Sequence, residues 1–228
     1  MTRIAVSQSN YIPWIGYFEL ISSVSEFVFL DNVQYTSRDW RNRNQIKTPQ
    51  GKLWLTLEVE VGKKSSLIQD VTVVKVEEKL NHLETIRRNY RRSRCFNETY
   101  PEIKEFYESF ESNSLSGFNR HLIESFSRKL GIETNFHNAS DFENETDASR
   151  RILEICKSLN ASVYVSGPSA RDYLNLELFE SQKIEVEWFE YSNTPYEQLW
   201  GEFDRNVSVL DPILNNGWNI LHDRGQVK

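Results

Sequence analysis

Arg3-Ile4-Ala5-Val6-Ser7, then Phe18, Leu20, Ile21 and Val24, then Phe27-Val28-Phe29-Leu30-Asp31 decide how this chain is read. The first run is apolar for three residues and breaks into polar ones at Ser7. Tyr11 to Gly16 contains Pro13 and Gly16, which predicts a loop or an irregular approach to a helix. The spacing of Phe18, Leu20, Ile21 and Val24 predicts a short amphipathic helix. Phe27 to Leu30 is too short for a helix and continuous enough for a buried strand. Strand, helix and strand in about 30 residues make a βαβ unit, and strands apolar on both faces favour a parallel sheet.

Outward from this unit the pattern changes. Leu53, Leu55, Leu57, Val59 and Val61 alternate with Trp54, Thr56, Glu58 and Glu60, the period of a half-wet strand. Gln50-Gly51 marks a turn before it, and Val71, Val73 and Val74 suggest a further strand after a Lys63-Lys64-Ser65-Ser66 loop. Residues 40–76 therefore read as an inserted antiparallel hairpin. Residues 79–130 read as two or three helices, with Gly131 placed to end the last one. Asn138 to Asp147 is the best loop candidate. A helix over Ile152–Leu159 and a strand at Val163-Tyr164-Val165 follow, and Ile184 to Phe189 forms a last alternating strand. The expected fold is α/β: a Rossmann-like, mostly parallel sheet with the inserted hairpin and a helical segment, residues 1–228 forming one domain.

Composition narrows the classes. The 228 residues are 39% hydrophobic and 13% aromatic, enough to build a core and too apolar for a disordered chain. A formal charge of −6 gives no overall attraction for nucleic acid or an anionic membrane. No run reaches the roughly 18–20 apolar residues of a membrane span, and the first residues lack a signal-peptide core. Cys95 and Cys156 are too few for a disulfide framework, and His82, His121, His137 and His222 lack ligand spacing, so no metal site is expected. The expectation is a soluble cytoplasmic protein.

In open α/β sheets ligands bind beyond the carboxyl ends of the strands. Three such ends carry polar clusters. Ser7, Gln8, Asn10, Tyr11, Trp14 and Tyr17 follow the first strand. Asp31 and Gln34 follow the second, with Trp40, Asn42, Arg43 and Asn44 beyond. Tyr164, Ser166, Gly167 and Ser169 close the third, with Tyr173 nearby. Amides, carboxylates and aromatic faces are what recognise a polyhydroxylated ring or a base; the plainer reading is that they cap turns and fill a small core. Ser166-Gly167-Pro168-Ser169 could seat a phosphate if Ser169 caps a helix there. Arg87, Arg91 and Arg94 would share a helix face able to meet phosphates or RNA, or one simply solvated. His82 could act as a general base near neutral pH.

The stretch Gln8-Ser9-Asn10-Tyr11-Ile12-Pro13-Trp14-Ile15-Gly16-Tyr17-Phe18 resembles the WbqC-like family. So do Leu30-Asp31-Asn32-Val33-Gln34-Tyr35, Asn42-Arg43-Asn44, Trp54-Leu55-Thr56, Ser166-Gly167-Pro168-Ser169-Ala170 and Tyr196-Glu197-Gln198-Leu199. The resemblance runs in order from about residue 3 to residue 217. It implies a part in making bacterial surface polysaccharide such as O-antigen, whose sugars are carried on nucleotide diphosphates. Where the family usually opens on His-Gln-Pro, this chain has Ser7-Gln8-Ser9. A base at that position would be lost, or replaced by Ser7 or His82.

The function expected is modification of a nucleotide-linked amino sugar by acyl or aminoacyl transfer to its amine. Asp31 is the first candidate base, and His82 and Ser7 are the others. Gln8, Asn10 and Asn44 would hold hydroxyls, Trp14 or Trp40 would stack on a ring, and Arg43, Ser166 and Ser169 would meet phosphates. Two alternatives stay open: an ATP- and magnesium-dependent nucleotidyl or adenylyl transferase, and a non-catalytic sugar-nucleotide-binding protein. The donor stays open between an activated acyl group, a free amino acid with ATP, and a charged tRNA. A homodimer stays open as well.

Overall fold

A computed structural model describes residues 1–228 apart from Lys64, Ser65, Val76, Asn144, Asn193, Arg224 and 226–228. Along the chain run β1 (Arg3–Ser7), α1 (Ile15–Ser22), β2 (Glu26–Phe29), β3 (Arg43–Thr48), β4 (Gly51–Thr56), β5 (Val59–Glu60) and β6 (Thr72–Val73). Then come α2 (Glu78–Tyr90), α3 (Phe96–Glu108), α4 (Leu115–Lys129), β7 (Asn135–Asn138), α5 (Ala148–Ser158), β8 (Val163–Ser166), α6 (Leu176–Ser181) and β9 (Glu185–Trp188). Two short helices, α7 (Leu210–Asn216) and α8 (Ile220–Asp223), close the chain.

Five strands form one sheet in the order β7-β2-β1-β8-β9, and each neighbouring pair is parallel. Successive side chains point to opposite faces, so each central strand feeds two cores. Ala5, Phe27, Phe29, Val163 and Val165 join the larger core with α1, the inserted helices and α7. Ile4 and Val28 pack with Ile155 of α5 on the other face, and Tyr164 packs there with Cys156 and Phe179. Helices on both faces explain why the central strands are apolar throughout. The edge strands need less: β7 is Asn135-Phe136-His137-Asn138 and β9 is Glu185-Val186-Glu187-Trp188, both half-wet.

The expected hairpin region is two small ladders. β3 pairs antiparallel with β4 across a Pro49-Gln50 turn, and Gly51, the first residue of β4, takes φ +111°, open to glycine at little cost. β5 pairs antiparallel with β6. The alternating run from Leu53 to Val61 is thus divided, with Leu57 N–H donating to Asn42 O at 2.8 Å between the two parts. Part of the loop expected at Lys63–Ser66, and Val76 at the edge of the insertion, lie outside the described residues. The helical segment is three helices, α2 to α4. Ser114 caps α4 by accepting from Gly117 N–H, and Gly131 follows at φ +76°.

The expected arginine face does not form. α2 stops at Tyr90, so Arg91 and Arg94 lie beyond the helix and do not extend its stripe. Within it, Arg87 and Arg88 both bind Glu84, each at 2.7 Å. Among the described residues no helix is long and apolar enough to cross a membrane, and no three His, Cys, Asp or Glu side chains group as a metal site would.

Candidate ligand-binding site

β1, β2 and β7 step one way across the sheet and β8 and β9 step the other, so the strand order reverses between β1 and β8. At such a reversal the connections leave in opposite directions and a crevice opens at the carboxyl ends. A cavity of about 290 Å³ lies there. Ser7, Gln8 and Asn10 line it from the end of β1, and Tyr164, Ser166, Gly167, Ser169 and Tyr173 from β8 and beyond. Arg41 and Tyr191 complete its polar wall. The first and third sequence clusters therefore meet, while Arg41 and Tyr191 were not singled out from the sequence. Arg41 lay inside the Trp40–Asn44 stretch, its only signal; Tyr191 had none.

Arg41 is the cation of this cavity, and its side chain is 11% exposed. One terminal nitrogen donates to Gln8 Oε1 and lies 3.5 Å from Asp39 Oδ2. Its Nε–H is buried without a hydrogen-bond partner. Burial lowers the guanidinium pKa, and Asp39, Tyr17, Asp31 and Tyr35 oppose that by charge. A buried, incompletely paired guanidinium beside serine and tyrosine hydroxyls suits a phosphoryl or carboxylate group.

A second cavity, of about 240 Å³, shares Asn10 with the first. Pro13, Trp14, Trp40, Asn44 and Asn206 line the rest. Gly16 makes the position of Trp14 possible: a Cβ there would fall 2.4 Å from a ring carbon of Trp14. Tyr191, which lines the first cavity, packs on Trp14 of the second with ring centres 4.9 Å apart. Trp40 is buttressed from the hairpin: its ring lies 5.5 Å from that of Trp54, and the Arg43 guanidinium sits 4.2 Å above Trp54. Arg43, expected to meet phosphates, stacks here and donates to Arg38 O.

The segment joining β1 to α1 is held under backbone strain. Ile12 takes φ +37°, a conformation that a β-branched residue adopts only when its surroundings impose it. Asn44 imposes it, donating from Nδ2 to Tyr11 O at 3.1 Å and Ile12 O at 2.9 Å. Below, the Tyr11 hydroxyl lies 2.7 Å from His82 Nδ1 and 2.9 Å from the Tyr107 hydroxyl. His82 and Tyr11 are thus parts of a buried support and line neither cavity. Burial pushes the His82 pKa down to about 4, against the charge of Glu78 and a hydrogen bond to the Thr56 backbone.

Asp31 is 3% exposed and also lines neither cavity. Its Oδ1 accepts from Ser9 N–H at 2.9 Å, and Arg120 Nε lies 3.9 Å from Oδ2. Burial raises its pKa; the Ser9 N–H and hydroxyl, Arg120 and Arg41 work against that. Tyr17 donates to Gln8 O at 2.9 Å from beneath the first cavity. Asn42 donates to Leu57 O at 2.8 Å and joins the hairpins, and Gln34 is exposed in a bridge with Leu67. After Ser166-Gly167 comes a short 3-10 helix, Pro168–Asp172, whose N-terminus has no side-chain cap. Ser169 lies inside this short helix and does not cap it, so an anion there would depend on Arg41 and on hydroxyls.

A third polar cluster braces the site. Asp211 of α7 is fully buried; Tyr90 donates to its Oδ2 and Gln198 to its Oδ1, each at 2.8 Å. Lys47 Nζ donates to Gln198 Oε1 at 2.7 Å. The same C-terminal segment binds Pro13 O through Val209 N–H at 2.8 Å and supplies Asn206 to the second cavity.

Sheet order and paired cavities together define an α/β protein of the Rossmann-like type with its candidate ligand site at the strand-order reversal. Residues 8–223 match the WbqC-like protein family, and the chain belongs to that family. It is 40% identical over 219 residues to a protein of Mycobacterium tuberculosis (strain ATCC 25618 / H37Rv) named "Uncharacterized protein Rv1507c", covering 95% of each chain. No solved structure matches it.

Proposed function

We propose that this protein acts on a nucleotide-linked amino sugar in surface-polysaccharide synthesis and transfers an acyl or aminoacyl group to the sugar amine. The observation that carries the reading is the pair of cavities joined at Asn10, one with a cation and hydroxyls, the other walled by indoles. A nucleotide-linked sugar is a ligand with those same two characters, an anionic polyhydroxylated part and a flat aromatic part. Family membership supports the biosynthetic setting. In this reaction the amine attacks the acyl carbon, the C–N bond forms as the bond to the donor's leaving group breaks, and the amine proton passes to a base. Asp31 is the carboxylate proposed for that proton, and its raised pKa suits the task. It lies next to the strand-end cavity, hydrogen-bonded to the backbone N–H of Ser9.

A second reading is binding without turnover. What favours it is that, among the described residues, no carboxylate or imidazole lines either cavity. The nucleotidyl-transfer alternative draws no support from the site, because among the described residues no imidazole lines either cavity.

The test is a thermal-shift panel of UDP- and dTDP-linked amino sugars, their hydroxyl counterparts, ATP with magnesium, and acyl-coenzyme A. A ligand at about 100 times its Kd adds about 2.7 kcal/mol, or about 5–10 °C at this length. A shift with amino sugars, followed by an acylated product in mass spectrometry, upholds the transferase. A shift without product under every donor upholds binding alone, and a shift with ATP only overturns both.

A further inference from the structure

The two cavities differ in the polar groups that they offer, and this difference orients the ligand. We infer that the indole-walled cavity takes the nucleobase, and that the cavity at the strand ends takes the diphosphate and the sugar; the inference rests on the nucleotide-sugar reading above.

A pyranose carries hydroxyls around its rim and needs partners on several sides, whereas a base needs two flat faces and one polar edge. The indole-walled cavity meets the second description. Trp14 and Trp40 supply the faces. Of its amides, Asn44 is consumed at both ends, donating to Tyr11 O and Ile12 O and accepting from Gln45 N–H at 2.8 Å. Asn10 and Asn206 remain to read an edge, and Asn10 Oδ1 is buried without a hydrogen-bond partner. The strand-end cavity meets the first description, with Ser7, Ser166, Tyr173 and Tyr191 presenting hydroxyls and Arg41 a guanidinium. Trp40 is held in place from behind by Trp54, and Trp54 by Arg43, so the ring is preorganised to stack. Asn10, common to both cavities, marks where the ribose crosses.

The test follows tryptophan fluorescence while the full-length protein is titrated with UDP, dTDP, CDP, GDP and ADP, and separately with glucosamine 1-phosphate. At least one nucleoside diphosphate is expected to bind and to quench the emission. Stacking of one base on an aromatic ring is worth roughly 5- to 150-fold in affinity. Trp40→Ala should weaken that nucleotide by about tenfold or more and leave glucosamine 1-phosphate within about twofold. Trp40→Phe, which keeps a flat ring, should recover most of the loss. Arg41→Gln should weaken both ligands. Trp40 is 43% exposed, so the variant is expected to fold, and circular dichroism checks it. If the nucleotide binds Trp40→Ala as tightly as wild type, or if glucosamine 1-phosphate is the ligand that suffers, the orientation is wrong while nucleotide recognition stands. If no nucleoside diphosphate binds the wild type, the nucleotide-sugar reading falls and the orientation falls with it.

Discussion

Lowering the pH should loosen the support beneath the site through His82. Its imidazole is 8% exposed and pinned between the Tyr11 hydroxyl and the Thr56 backbone. In the unfolded chain its pKa is about 6.5, and in the folded protein it is about 4. The folded value is the lower one, so between those pH values the unfolded chain takes up a proton that the folded one refuses. The stability contribution is therefore complete above about pH 6.5 and is lost as the pH falls through this window. From about pH 7.5 to about pH 5 the loss from this one group is about 2 kcal/mol, rising to about 3 kcal/mol below the folded pKa. Asp31 and Asp211 have raised pKa values and push the other way as the pH falls, so the His82 share must be isolated. Urea unfolding of wild type and His82→Gln at the two pH values does this, because the carboxylates cancel in the comparison. The wild type should lose about 2 kcal/mol more than the variant. Equal pH dependence in the two proteins would refute the burial argument.

Gly16→Ala sets two effects against each other. Alanine favours the helix by about 1 kcal/mol, but its Cβ would enter the Trp14 ring, which must leave its packing on Tyr191. Thermal unfolding should change little while nucleotide binding falls several-fold, and unaltered binding would show that Trp14 is not a wall. Asn44→Ala strips the Tyr11 and Ile12 carbonyls of their donor, and should cost about 2–4 kcal/mol in urea unfolding as the strained turn relaxes. Tyr90→Phe removes a hydrogen bond to the buried Asp211 carboxylate and should cost about 1.5–3 kcal/mol; a loss below half a kcal/mol would mean that this cluster is not a brace.

The sheet was legible where burial on both faces leaves a run that only a strand explains, as at Phe27-Val28-Phe29 and Val163-Tyr164-Val165. β7 escaped because an edge strand needs only one good contact, and Phe136 is its one apolar residue. The alternation from Leu53 to Val61 has the period of one strand, but the partner that splits it, Arg43–Thr48, is polar and carries little signal. Strand ends pointed to Ser7, Gln8 and Ser166 because a parallel sheet places all such ends on one edge. Arg41 and Tyr191 reach the same edge through loops, and no local pattern encodes that. Titratable character marked His82 and Asp31, yet their burial depends on α2, α3 and α4 folding over the site loop.

The insertion also has a consequence during synthesis. β2 ends at Phe29 and its neighbour β7 begins at Asn135, roughly a hundred residues later. At about 5–20 residues per second, a ribosome takes about 5–20 s to deliver the strand that covers β2. For that interval Glu26-Phe27-Val28-Phe29 presents an uncovered, mostly apolar edge, the kind of segment on which a second chain can add a strand. Crowded nascent chains of this protein should therefore associate through such uncovered edges, and a holdase that shields extended apolar segments should raise the yield of folded protein.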